Sequence, residues 1–354
     1  MSKVTMQRLA EEAGVSRITV WKVLNDRPGV SEELRQLVRR KAEELGYGVP
    51  GVQPSRHGRT FSVAVARPES SIFWMNIIHH IAKELAKQGA NMLYTYMPTG
   101  YHEGYALPAP LTQAGVDGFL VLNVYDRRLL EMLAATPLPK VFLDTVPTLH
   151  PRDLHGDLVI LEGQNRIHEI TSRLLSTGRT RLGFIGDVNY AQTNLDRYRG
   201  FLDAHTEAGI APDPAWSLTE PLRLRDHYEQ ISEFLARLPR LPDAFVCASD
   251  FIASFVHRYL EESGRQLPEA FVLTGFDNSA EYPGVAEKIT SVNVETSSLG
   301  KLLARKLMFR ADYPSAPTEV SYVDTQVVYR KPLKKRPSRV LVWPLKMVIL
   351  IKSQ

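Results

Sequence analysis

Apolar residues recur at helical spacing from the start of the chain. Met6, Leu9, Ala10 and Ala13 lie three and four apart, which predicts a helix with one buried stripe. Gly14-Val15 interrupts the pattern, and Ser16 offers a hydroxyl that can accept from a first-turn amide. A second helix is expected from Arg17 to about Asn25, with Val20, Val23 and Leu24 inward. After the Pro28-Gly29 turn, Ser31 can cap a third helix, Glu32 to Leu45, with Leu34, Leu37, Val38, Ala42 and Leu45 on its inner side. Two short helices around a glycine turn predict a helix-turn-helix. Three helices of this size make a minimal core.

Residues 48–60 (GVPGVQPSRHGRT) break this regime, because their glycines and prolines leave little room for regular structure. They read as a linker. From Phe61 the pattern alternates between short apolar runs and amphipathic stretches. Strands are expected at 61–66, 91–97, 116–122 and 139–144, with helices at Phe73–Gln88 and near Asp126–Ala135. A second series follows, with strands at 180–187, 243–250 and 270–277. Its helices are Gln164–Ser176, Leu195–Ala208, one near Asp226–Leu238, and Phe251–Ser263. A helix at Leu299–Phe309 and one last strand near Thr318–Tyr329 complete the body. Such alternation predicts parallel sheets wrapped by helices with right-handed crossovers. About 270 residues in two comparable series suggest two lobes with a cleft beyond the strand ends, where ligands of such folds sit.

At 354 residues, with 44% hydrophobic and 23% charged residues, the chain has the composition of a globular protein. Its net charge of +4 is mild, but residues 1–60 carry an excess of Lys and Arg over Asp and Glu. A basic head on a near-neutral body points to a polyanion at one end. Cys247 is the single cysteine. It excludes an intramolecular disulfide or a cysteine zinc cluster and fits a reducing cytoplasm; at the end of AFVC it reads as core. The charged N-terminus is not expected to be a signal peptide. The apolar run of residues 339–354 is interrupted by Pro344 and Lys346 and is too short to span a bilayer, so no membrane partner is expected.

The second helix leaves Arg17, Ile18, Trp21 and Lys22 outside its core face. This cationic, hydrogen-bonding and apolar set suits base edges in a major groove. The stretch VTMQRLAEEAGVSRITVWKVLNDRPGVSEELRQLVRRKAEELGY resembles the DNA-binding head of LacI/GalR-type transcription regulators. VDGFLVL, PKVFLD, TGRTRLGFIGD, DRYRGF, AFVCASD and VLTGFDN resemble landmarks of that family's effector domain, in the same order. The resemblance covers roughly residues 3–330. It implies an all-α helix-turn-helix head followed by an α/β two-lobed, periplasmic-binding-protein-like domain, with two parallel sheets flanked by helices. The domains are then the head at 1–47, the hinge at 48–60, the effector and dimerisation domain at 61–330, and an extension of unknown role at 331–354. The implied protein is a cytoplasmic, nucleoid-associated homodimer, expected to be a repressor. It would bind a pseudo-palindromic double-stranded operator under the control of a small, sugar-like effector, without a further cofactor.

By that resemblance Arg17, Ile18 and Lys22 face the groove, Arg and Lys suiting guanine and Ile18 a thymine methyl. Thr5, Ser16, Asn25 and Ser31 would hold phosphates, or serve only as caps and turn residues. Both roles are compatible, since an exposed helix N-terminus is itself an anion site. Trp21 departs from the family's small hydroxyl residue; it either packs on a sugar-phosphate face or covers the neighbouring helix. The linker departs further. The family's hinge helix carries a leucine that wedges into the minor groove. Here Pro54 falls inside the would-be helix, where it removes a donor and clashes with the preceding turn. No leucine occurs between Leu45 and Leu85, and Arg56 sits near the wedge position. Arg56 or Arg59 could enter a narrow minor groove electrostatically instead. The operator is therefore expected to bend less than those of wedge-bearing relatives, and a bend of the usual family size in a circular-permutation gel would contradict this. The altered hinge also leaves open a second reading, a sugar-binding sensor with weakened or non-specific DNA binding.

For the effector, Asn123, Asp144 and Asp277 each close a predicted strand, where ligand contacts belong. The resemblance adds the aromatic pair Phe73 and Trp74, otherwise two core aromatics at a helix start, and Arg197 in DRYRGF. Ser249 and Asp250 close AFVCAS. Asp250 reads better as a charge at a helix N-terminus. The set of carboxylates, amide and guanidinium suits a polyhydroxylated ligand. Val159-Ile160 stand near a position where the family carries Asp-Asn. The chain has no G-x-S-x-G, H-E-x-x-H or P-loop, so no catalytic or metal site is expected. His79 and His80 are adjacent on one helix and point in different directions.

Overall fold

The computed structural model describes residues 5–24, 29–45, 58–66, 71–112, 115–223 and 226–333. Asn25, Arg56 with the rest of 46–57, and residues 334–354 lie outside the described residues, and with them most of the expected hinge and of the tail. The chain divides into two compact units at Gly58–Arg59.

The first unit is helical, with α1 (Met6–Glu12), α2 (Arg17–Leu24) and α3 (Glu32–Glu44). Its core is Leu9, Ala10, Ala13, Val20, Val23 and Val38, the residues placed inward by the 3.6-residue period. Thr5 caps α1 by accepting from the Arg8 amide. Gly14 makes the turn at φ 65°, a conformation that costs glycine nothing. Ser16 then caps α2 by accepting from the Thr19 amide at 3.0 Å, and Ser31 caps α3 through Leu34.

The second unit alternates strands and helices. The first lobe contains β1 (Thr60–Ala66), α4 (Ile72–Lys87), β2 (Asn91–Met97), α5 (Ala109–Thr112), β3 (Gly118–Leu122), α6 (Arg127–Ala134), β4 (Lys140–Leu143) and β5 (Asp157–Leu161). The second lobe follows with α7 (Gln164–Ser176), β6 (Leu182–Ile185), α8 (Gln192–Ala208), α9 (His227–Arg237), β7 (Ala244–Cys247), α10 (Asp250–Ser263), β8 (Val272–Thr274) and β9 (Ser291–Asn293). The chain returns to the first lobe through α11 (Thr296–Asp312) and β10 (Val320–Val323), then crosses again to β11 (Gln326–Val328). The first sheet is parallel, in the order β10-β5-β4-β3-β1-β2. The second is the parallel β6-β7-β8, extended by a bridge between Thr274 and Thr290 to the antiparallel pair β9-β11.

Several features differ from the sequence expectation, including the unforeseen strand β9 and the start of α11 three residues before the expected Leu299. The single last strand is two strands in different sheets, split at Asp324-Thr325; the Thr325 hydroxyl donates to the Glu162 carbonyl at the crossing. Residues 157–161 form β5, buried on both sides, so Val159 and Ile160 are core and Leu161 is the residue of this strand that reaches the cleft. Helix α8 begins at Gln192, three residues before the expected Leu195. Arg59, weighed above for the minor groove, donates instead to Asp312 at the end of α11, at 2.7 Å. Cys247 is fully buried at the end of β7.

One buried ion pair fixes the returning segment. Arg310 on α11 donates to both oxygens of Asp157 at 2.6 and 3.1 Å and to the Pro317 carbonyl at 2.8 Å. The Glu319 amide also donates to Asp157, at 2.9 Å. Both side chains are almost wholly buried. Removing one partner of such a pair strands the other charge, at a cost of about 3–5 kcal/mol. Arg310→Met is expected to destabilise this unit by about that amount in a guanidinium titration; an unchanged midpoint would show that the pair is not needed.

Candidate functional site

Two surfaces carry the candidate residues. On the first unit, α2 presents Arg17, Ile18 and Trp21 outward, with Lys22 half-buried beside them. The same helix that buries Val20 and Val23 therefore exposes its other face, as its period requires. The expected phosphate ligands Thr5, Ser16 and Ser31 are all exposed and all act as N-caps. Their hydroxyls mark three helix N-termini, which favour anions.

In the second unit all seven expected effector residues line a single cavity of about 220 Å³. The local geometry explains why. In both parallel sheets the loops after the carboxyl ends of the strands open on the cleft. Asn123 follows β3, Asp144 follows β4 and Asp277 follows β8, all with positive φ (55°, 69° and 98°). Asn and Asp tolerate this left-handed turn better than other residues with a side chain. After β3 and β4 this turn halts the strand, whereas Asp277, three residues beyond β8, still bridges to Asn293; all three side chains line the cavity. Asn123 donates to the Ala66 carbonyl at 2.6 Å, fixing its amide. Ser249 follows β7 and caps α10 through the Ile252 amide.

Asp144 accepts from the Thr193 hydroxyl at 2.5 Å and the Thr145 amide at 2.8 Å. Burial nevertheless pushes its carboxyl up to about 6, against those hydrogen bonds and the Arg197 charge. Asp277 has less help: burial raises it to about 7, Arg197 opposing and Asp250 adding to the rise. Arg197 is buried on α8, donates to the Ala248 carbonyl at 2.6 Å, and lies 3.6 Å from the centre of the Phe276 ring. Its Nε has no hydrogen-bond partner among the described residues. Gly163 makes room for it, and Gly200 for the helix that carries it. A Cβ on Gly163 would meet the Arg197 stem at 2.9 Å, and one on Gly200 would collide with the Gln164 carbonyl, preventing the close approach of α7 and α8.

Phe73 and Trp74 meet edge to face, with centroids 5.3 Å apart. They pack on the core and line the cavity at once. Asp250 accepts from the Ser291 hydroxyl and the Ser279 amide, both at 2.8 Å. It organises the loop after β8, in keeping with a structural charge.

Several lining residues were not picked out from sequence. Tyr125 of the first lobe and Tyr190 of the second meet across the cleft, with ring centroids 4.6 Å apart. Burial, followed by the Asp144 charge, holds the Tyr125 phenol well above its usual range. Asp187, two residues after the last residue of β6, could have been found by the same strand-end rule; it accepts from the Asn189, Tyr190 and Leu222 amides. Further contacts span the lobes. Glu281 accepts from the Ser71 hydroxyl at 3.1 Å and the Ile72 amide at 2.9 Å. The backbone amide of Gln192 donates to the Thr145 carbonyl at 2.7 Å. Among the described residues no cluster of side chains could hold a metal ion, and no helix is long and apolar enough to cross a membrane.

Comparison with known proteins agrees with this division. Residues 5–49 match the profile of bacterial regulatory proteins of the lacI family, and residues 171–332 match a periplasmic binding protein-like domain. The HTH-type transcriptional repressor PurR of Pasteurella multocida (strain Pm70) is 27% identical over 336 residues, covering 94% of this chain and 99% of its own. The HTH-type transcriptional regulator CelR of Thermobifida fusca is 28% identical over 319 residues, 86% of this chain and 91% of its own. Among solved structures, a complex of the transcriptional regulator CelR with cellobiose superposes with a TM-score of 0.67 at 26% identity, covering 92% of this chain and 99% of that one. A lac repressor dimer on operator with the anti-inducer ONPF superposes at 0.62 and 20% identity, covering 93% and 99%, a likeness of fold. The chain thus carries a lacI-type head and a periplasmic-binding-protein-like body in this order, the domain pair of lacI-family regulatory proteins, with relatives aligned over nearly their full length.

Proposed function

We propose that this protein is a cytoplasmic transcriptional repressor that binds a pseudo-palindromic operator as a homodimer, with its operator affinity set by a sugar-like effector held between the two lobes. The observation that carries the effector half is the cavity itself. Asn123, Asp144, Arg197, Ser249 and Asp277 converge on it with the aromatic faces of Phe73 and Trp74. Polar groups that donate and accept beside aromatic rings suit a ring with hydroxyls on its edge and C–H groups on its face. The CelR structure holds cellobiose, and a structure of the same fold holds ribose. The head supplies the other half through Arg17, Ile18 and Lys22, with Thr5, Ser16, Asn25 and Ser31 on phosphates and Arg56 toward the minor groove. Dimerisation is supported by exposed apolar residues on one edge of the first lobe: Ile72 and Met75 on α4, Tyr94 and Tyr96 on the edge strand β2. A two-fold dimer would present two heads to two half-sites.

The test is fluorescence anisotropy of the full-length protein on DNA from upstream of its own gene, with salt and a panel of sugars varied. Specific binding should fall steeply with salt and respond to one of the sugars. Weak, sequence-blind binding with intact sugar binding would favour the sensor reading that the Pro54-bearing hinge suggests.

A further inference from the structure

The exposed face of α2 carries more apolar surface than guanine and phosphate contacts require. Ile18 is 68% exposed and Trp21 is 45% exposed, whereas Val20 and Val23 on the same helix are 0% and 1% exposed. The head's core is therefore closed without Ile18 and Trp21. Residues three apart on a helix share a face, so the two form one apolar strip. Arg17 stands one turn before Trp21 and Lys22 one turn after Ile18, so the strip is bordered by cations that bring it to a polyanion. On a DNA major groove the apolar feature available to such a strip is the C5 methyl of thymine; the other base-edge groups are hydrogen-bond donors and acceptors.

We infer that Trp21 reads a thymine methyl beside the one met by Ile18, so that each half-site is specified by two neighbouring thymines bordered by the bases read by Arg17 and Lys22. The inference rests on the proposed DNA-reading role of the head. It gives Trp21 a sequence-specific task, where a ring lying on the sugar-phosphate backbone would be indifferent to sequence.

The experiment uses the full-length protein. Duplexes are selected from a random pool, and the winner is resynthesised with each thymine replaced in turn by deoxyuridine, which removes the methyl alone. Wild type should lose affinity by about fourfold for each methyl it covers, at two thymines in each half-site. In Trp21→Ser one of these two positions should become insensitive to the replacement, while Trp21→Phe should keep part of the sensitivity. Thermal melting of both variants checks the fold, and Trp21→Phe alone decides the matter if Trp21→Ser does not fold. If Trp21→Ser weakens every duplex by one factor and leaves each thymine-to-uracil ratio unchanged, the indole lies on the backbone and the inference is wrong. Selection of no sequence at all would overturn the DNA-reading role and this inference with it. A selected sequence insensitive to uracil would overturn the inference alone.

Discussion

Arg17→Ala and Lys22→Ala are each expected to weaken specific operator binding strongly at physiological salt while leaving the fold and effector binding unchanged. In the proposed docking each side chain makes a base contact worth roughly 1–3 kcal/mol of discrimination. The loss of either lowers specific affinity by about ten- to a hundredfold and brings it toward the non-specific background. The effect should be confined to DNA because neither residue belongs to the hydrophobic core of the head, which is Leu9, Ala10, Ala13, Val20, Val23 and Val38. Arg17 is exposed and Lys22 half-buried at the surface. The measurements are anisotropy on operator and on random duplex, melting temperature, and effector titration. A uniform loss on both duplexes would reassign the residue to phosphate contact, and operator binding like that of wild type in both variants would remove the docking scheme.

The parts of this chain that were legible in sequence share a physical cause. Helices in the head were legible because one face is buried and the other wet, so Leu9 and Val20 stand out against Arg8 and Arg17. Asn123, Asp144 and Asp277 were legible because each is a polar residue directly after a buried apolar run, and the left-handed turn that ends the strand favours Asn and Asp. The β5 segment DLVIL was harder. A strand buried on both faces has no alternation to read, and its side chains divide between a core of the first lobe and one that continues into the second. β9 and β11 are three residues each, too short for any period. Tyr125 and Tyr190 lie in loops, and their contact depends on two lobes brought together by residues far apart in sequence. No local pattern encodes that. The crossing at Asp324-Thr325 was read as strand because the apolar residues on both sides continue through it; the change of sheet is a tertiary fact.

Arg197→Met is expected to remove the effector response and to alter how stability depends on pH. Methionine fills much of the arginine stem but carries no donor, so the Ala248 carbonyl and any ligand oxygen lose a charge-assisted hydrogen bond of about 1.5–3 kcal/mol each. Effector affinity should then fall by about ten- to a hundredfold. The pH dependence follows from two carboxyls of the cavity lining that Arg197 restrains; Asp250, which burial raises to about 6 and Arg197 also opposes, moves in the same direction. Burial raises Asp144 to about 6 and Asp277 to about 7, with Arg197 pulling both down. A carboxyl whose folded pKa is raised binds more protons folded than unfolded. Its contribution to stability is therefore full below the unfolded value of about 4 and is lost as pH rises toward the folded value. In wild type that loss spans about pH 4 to 7. Without the guanidinium both carboxyls rise further and the window extends upward. At pH 5 both are largely protonated with or without Arg197, so the variant should be less stable than wild type by little more than the lost hydrogen bond to Ala248. At pH 8 wild type holds two carboxylates against a cation and the variant has no cation to set against them, so the stability gap should widen. Guanidinium titrations of the two proteins at pH 5 and pH 8 measure the gap. If it is the same at both, Arg197 does not set the protonation of the cavity; if the effector still shifts operator affinity at the wild-type concentration, Arg197 does not bind it.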